Sequence, residues 1–105
     1  MKAKREHNTA LYEAILALET PAECIDFFED LCTVGELSAM EQRYQVAKGL
    51  YQGKIYNEIL AETGASSATI SRVNRTLQYG NGGYDLVFSR LEFPNPADDR
   101  TATGK

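Results

Sequence analysis

The sequence predicts an all-α fold of six helices in one small domain. Three observations predict it. Apolar residues recur at steps of three and four along most of the chain, and hydroxyl and carboxylate residues stand at helix-capping spacings. No segment alternates apolar and polar with the period of two that a half-buried strand needs. The 105 residues leave room for a single core, and 43% apolar with 25% charged residues excludes a wholly disordered chain. No apolar h-region opens the sequence and no apolar run approaches a bilayer span, so neither a signal peptide nor a membrane helix is expected. Cys24 and Cys32 are too few for a disulfide scaffold or an all-cysteine metal site. That usage points to a reducing cytoplasm.

The elements follow in order. In residues 7–19, Ala10, Leu11, Ala14, Ile15 and Leu18 form one apolar face. Thr20-Pro21-Ala22-Glu23 opens a second helix, about 21–32: Thr20 caps, Pro21 takes the first helical position and Glu23 reaches back. Thr33-Val34-Gly35-Glu36 repeats the device before a long helix, about 35–52, that carries Leu37, Met40, Tyr44, Ala47, Leu50 and Tyr51 inward. Gly53 is the expected glycine after that helix. A short helix over 55–62 breaks at Gly64, and another over 67–79 ends at Gly80-Asn81-Gly82-Gly83. A last helix, 84–91, holds Tyr84, Leu86, Val87, Phe88 and Leu91. The helical domain is expected to span 1–92, and 93–105, with Pro94 and Pro96, to be a flexible tail.

Charge is unevenly placed. The net charge is −4, which argues against indiscriminate attraction to polyanions. Residues 1–42 hold three basic and nine acidic side chains, whereas 43–79 hold five basic (Arg43, Lys48, Lys54, Arg72, Arg75) and two acidic (Glu58, Glu62). A basic middle on an acidic chain suggests a local anionic partner. That middle contains two short helices joined at Gly64, the anatomy of a helix-turn-helix over about 55–79. Ile55, Ile59 and Leu60 give the first helix an apolar edge, and Ser66 or Ser67 caps the second, whose Ile70, Val73 and Leu77 pack back. Its other face presents Ser67, Ala68, Thr69, Ser71, Arg72 and Arg75, with no acid between Gly64 and Leu77. Small groups permit close approach to a major groove, hydroxyls bond phosphates or base edges, and a guanidinium can read guanine with two hydrogen bonds.

Residues 31–79 resemble the tryptophan repressor superfamily, most closely its small YerC/YecD-type branch. The carrying motifs are Thr33-x-x-Glu36, Arg43 in the third helix, Gly53, and Gly64-Ala65-Ser66-Ser67-Ala68-Thr69-Ile70-Ser71-Arg72. The six-helix pattern extends the likeness to about 7–91, with one residue fewer between Gly53 and Gly64 than the tryptophan repressor has. The resemblance implies an intertwined homodimer in which the first three helices and the last share a core. It also implies a transcriptional regulator, a repressor by type, that meets a double-stranded operator with two helix-turn-helix heads, a geometry known for such dimers generally, Trp repressors included. By position, Tyr56, Asn57, Ser66, Ser67, Ala68, Thr69 and Ser71 face DNA, with Lys54, Arg72 and Arg75 as the adjoining cations. The effector pocket transfers in part: Thr33, Arg43, Arg72 and Thr76 match ligand-holding positions. Val73, however, stands where the family keeps a glycine that makes room for the indole. The resemblance therefore favours the fold and DNA binding over tryptophan as effector, and implies no cofactor.

Other residues read more plainly. Cys24 and Cys32 are eight apart on one helix, about 12 Å along its axis, too far to bridge, and read as small apolar residues. His7, the single histidine, lies near the N-terminus without metal or catalytic company, and Glu58 and Glu62 read as solvated surface. Tyr79 and Tyr84, beside the glycine loop, are candidates for an interface. No nucleophile–base pair or phosphate loop appears, so an enzyme is not expected; Gly80-Asn81-Gly82-Gly83 lacks a P-loop's lysine and strand. The competing reading is a dimeric helical interaction module that keeps the scaffold without binding an operator.

Overall fold

The computed structural model describes residues 5–96, which form six α-helices and no strand: α1 (Ala10–Leu16), α2 (Pro21–Leu31), α3 (Val34–Tyr51), α4 (Tyr56–Thr63), α5 (Ser67–Tyr79) and α6 (Gly83–Arg90). They fall into two units, Met1–Leu37 and Ser38–Lys105, with α3 running through the boundary. No helix among the described residues is long and apolar enough to cross a membrane.

The first unit shows helix starts set by local chemistry. The Thr20 hydroxyl accepts from the Glu23 amide at 3.1 Å, and Pro21 stands at the first helical position. The Glu23 carboxylate reaches one residue further back than expected, to the Glu19 amide at 2.8 Å. Thr33 and Glu36 close a full capping box, with the Glu36 amide donating to Thr33 Oγ1 (3.1 Å) and the Thr33 amide to Glu36 Oε1 (2.9 Å). Helix α1 is shorter than its apolar pattern, because Ala17 and Leu18 tighten into three-residue turns on Ala14 and Ile15. Neither α1 nor α2 contains a buried residue: Leu16 is 84% exposed, Ile25 53% and Leu31 50%.

The second unit holds the core. Phe88 is wholly buried, with the rings of Tyr44, Tyr51, Tyr84 and Phe93 at 4.8–5.9 Å. Val46, Ala47, Ile59, Ala65, Ile70 and Val73 complete the buried cluster. Each of the larger side chains contributes about 1.5–3 kcal/mol by leaving water. Gly49, buried on α3, lets α4 approach: a Cβ there would lie 3.1 Å from Ile59 Cγ1. Helix α3 then ends on Gly53 at φ +86°, with the Gly53 amide donating to the Leu50 carbonyl and the Lys54 amide to the Gly49 carbonyl. This is the Schellman arrangement, which requires the left-handed residue that glycine supplies. The segment expected to be a tail from residue 93 is in part described: Phe93 is half-buried against Phe88, whereas 97–105 lie outside the described residues.

Candidate nucleic-acid interface

Helices α4 and α5 are joined by a three-residue turn, Gly64 to Ser66, held by several hydrogen bonds. Gly64, at φ +71°, donates its amide to the Leu60 carbonyl. Ala65 is buried, and its amide donates to Thr63 Oγ1 at 3.1 Å, while that hydroxyl donates to the Ile59 carbonyl at 2.7 Å. Gln42 Nε2 on α3 donates to the Thr63 carbonyl at 3.1 Å and so pins the turn from below. Ser66 caps α5, its Oγ accepting from the Thr69 amide and lying 3.1 Å from Thr69 Oγ1. Of the two serines read as possible caps, Ser66 is the one used.

The 3.6-residue period sorts α5 into two faces. Ile70 and Val73 are buried and Leu77 half-buried against the core, while Ser67, Ala68, Ser71, Arg72 and Arg75 are exposed. Thr69, expected on the outer face, is half-buried because its hydroxyl turns to the Ser66 cap. No acidic residue lies in α5, and neither Arg72 nor Arg75 has an ion-pair partner among the described residues. The outer surface is thus small, hydroxyl-rich and uniformly cationic. Such a surface can approach a groove closely and bind phosphates without internal competition.

Beside it, Tyr56 and Asn57 are exposed in the first turn of α4. Glu58, read as solvated surface, accepts from the Ile55 amide at 3.1 Å and so helps start α4. Ile55, expected on the apolar edge, stands instead at the N-cap position and is 63% exposed. Lys54 is half-buried and paired with Glu62 at 2.7 Å, so its charge is shared before any phosphate arrives. An exposed pair of this kind is worth about 0–1 kcal/mol, little enough to exchange partners.

The ligand-holding positions divide differently. Arg43, Arg72 and Thr76 are exposed on the second unit, with Thr76 Oγ1 donating to the Arg72 carbonyl at 3.3 Å. Val73 is 3% exposed and belongs to the core. Thr33 belongs to the first unit, and its hydroxyl is engaged by the capping box. A cleft of about 690 Å³ lies elsewhere, along α3 and α4, lined by polar side chains including Gln42, Gln45, Lys48, Gln52 and Lys54. None of Arg43, Arg72, Val73 or Thr76 lines it, so it does not supply an indole slot. Sequence reasoning missed Gln42, Thr63 and Gly49 as the residues that hold the turn and seat α4. Gly49 carried a signal, a glycine inside a long helix; the Gln42–Thr63 bond, 21 residues apart, carried none.

Comparison with known proteins agrees with this geometry. The family model for the Trp repressor protein matches residues 6–92. The uncharacterized protein YerC of Bacillus subtilis (strain 168) is 48% identical over 82 residues, covering 78% of this chain and 79% of YerC. The crystal structure of a candidate Trp repressor from Staphylococcus aureus superposes with a TM-score of 0.78 at 50% identity, covering 81% of this chain and 85% of that one. A TrpR-like protein from Eubacterium eligens ATCC 27750 gives 0.76 at 54% identity, over 79% of this chain and 86% of that one. With a fold, a helix-turn-helix and a family match that coincide over the same residues, the chain belongs to the Trp repressor protein family.

Proposed function

We propose that this protein is a sequence-specific DNA-binding transcriptional regulator, a repressor, that works in the cytoplasm as a homodimer and inserts α5 into the major groove of an operator. The observation that carries this reading is the acid-free outer face of α5, held rigidly by a buried Ile70–Val73 edge and a capped first turn. Ser67, Ala68 and Ser71 allow close approach to base edges, Arg72 reads a base, and Arg75 with Tyr56, Asn57 and Lys54 sets the register on phosphates. Dimerisation is supported by α1 and α2, which hold no fully buried residue within one chain and leave Leu11, Leu16, Ile25 and Leu31 exposed. The competing interaction module is favoured by the acidic pI of about 4.9 and expects no operator.

Affinity for a selected duplex tests the reading. Arg72→Ala and Thr69→Ala are each expected to weaken binding by about 1–3 kcal/mol with little loss of thermal stability. The α5 cap uses the Thr69 amide, which Thr69→Ala keeps. Lys54→Ala is expected to act evenly across sequences and to flatten the salt dependence. Unchanged affinity in all three variants would reject the assignment of this face to DNA.

Tryptophan is expected to bind poorly or not at all, because Val73 occupies core space where an indole slot would need an opening. Forcing a ring into a filled position costs roughly 1–3 kcal/mol, enough to erase most of a modest affinity. Titration calorimetry on the wild type and on Val73→Gly decides the point. Micromolar binding by the wild type would refute the steric argument, and binding gained only by Val73→Gly would support it.

A further inference from the structure

The chain does not simply trail away after α6. Leu91, Glu92 and Phe93 close the helix in a Schellman arrangement: the Glu92 amide donates to the Ser89 carbonyl at 3.0 Å and the Phe93 amide to the Phe88 carbonyl at 3.1 Å. The left-handed residue of this motif is Glu92, at φ +61°, the one non-glycine with positive φ among the described residues. A side-chain-bearing residue holds that conformation only where its surroundings compensate. Here the contacts of Phe93 supply the compensation. The Phe93 ring lies 5.7 Å from the Phe88 ring, and Lys48 Nζ of α3 sits 4.7 Å over the centre of Phe93. Three residues on, Pro96 approaches one side of the exposed Gly53, so closely that a Cβ on Gly53 would lie 2.7 Å from Pro96 Cγ. The segment that follows the Glu92 turn thus touches α3 at Lys48 through Phe93 and the Gly53 turn through Pro96. Gly53 is the corner from which the chain leaves α3 for α4, one residue before Lys54 and three before the exposed Tyr56.

We propose that Phe93–Pro96 is a strap that fixes the α3–α4 corner and thereby sets the direction in which α4 and its helix-turn-helix leave the core, so that Phe93 and Pro96 are positioning residues for DNA recognition although neither belongs to the α4–α5 surface. This rests on the DNA-binding reading above. Otherwise the corner is held by the two amide bonds that end α3, by Ile59 packed on Gly49 and by the Lys54–Glu62 surface pair, while Ile55 is largely exposed. The strap adds an aromatic ring and a proline ring to it from 40 residues further along the chain.

The test uses the full chain with Pro96→Gly, Phe93→Ala and the ring-preserving Phe93→Tyr. Amide hydrogen exchange reads the corner at Gly53 and Lys54, with Ile70 in α5 as an internal control, and affinity is measured on a duplex selected with the wild type. Pro96→Gly and Phe93→Ala are expected to speed exchange at Gly53 and Lys54 by about fivefold or more relative to Ile70. They should also weaken the duplex by about three- to tenfold, as a reading head loosened from its support would. Phe93→Tyr should restore both. Exchange at the corner as slow in Pro96→Gly and Phe93→Ala as in the wild type would overturn the strap. Faster exchange with unchanged affinity would overturn its positioning role. A wild type that selects no duplex would remove the DNA reading itself, and the strap would still stand or fall on the exchange of Gly53 and Lys54.

Discussion

Phe88→Ala is expected to cost about 3–5 kcal/mol, the range for emptying a large aromatic site in a packed core. The side chain has no exposure and stands among four other rings, drawn from α3, from α6 itself and from the segment after it. Those rings are tied to different parts of the chain and cannot all collapse into the void, so the cavity penalty adds to the lost transfer energy. Domains of this size are stable by about 5–15 kcal/mol, which puts this one substitution within reach of unfolding the protein. Urea denaturation should show a lowered midpoint at unchanged slope, with Phe88→Leu between the two. A loss below about 1 kcal/mol would mean that Phe88 is not the centre of the core.

Ile25→Glu is expected to have an effect of similar size by another route. In a single chain Ile25 is half-exposed on α2, and nothing in α1 or α2 is buried, so the residue contributes little to the isolated unit. In a homodimer sharing these faces it would be buried twice, once from each protomer. At about 1.5–3 kcal/mol for each buried side chain, the substitution should weaken the dimer by about 3–6 kcal/mol, or about 10²- to 10⁴-fold. Wild-type protein should melt at a temperature that rises with its concentration, and Ile25→Glu should be largely unfolded at micromolar levels. Sedimentation equilibrium that finds the wild type folded and monomeric at micromolar concentration would defeat the dimer.

Much of this architecture was legible because its determinants are local. The Thr20 and Thr33 caps, the Gly53 and Gly64 turns and the inward edge of Ile70, Val73 and Leu77 each need only a few neighbouring residues, and the structure shows all of them. The inward and outward faces of α5 follow from its period alone. What was not legible depends on distant partners. Lys54 reads as a free cation until α4 brings Glu62 beside it, and Glu58 as solvent-facing until the Ile55 amide is placed. Val46 is buried although the inward stripe of α3 reads through Tyr44 and Ala47, because a long helix that is apolar on more than one side gives no single stripe. The return of Phe93 and Pro96 needs a left-handed glutamate, which no local preference announces. Val73 was legible as an inward helix residue.

The central claim is that α5 of a dimer reads DNA, and selection of bound duplexes from a random pool tests it most directly. The expected result is enrichment of a two-fold symmetric site whose half-sites lie about one helical turn, ~34 Å, apart, as helix-turn-helix dimers in general require. That enrichment should disappear when the selection is repeated with Arg72→Ala and Arg75→Ala combined. A pool that stays as random as its input, or a site enriched equally well by the double variant, would contradict the account.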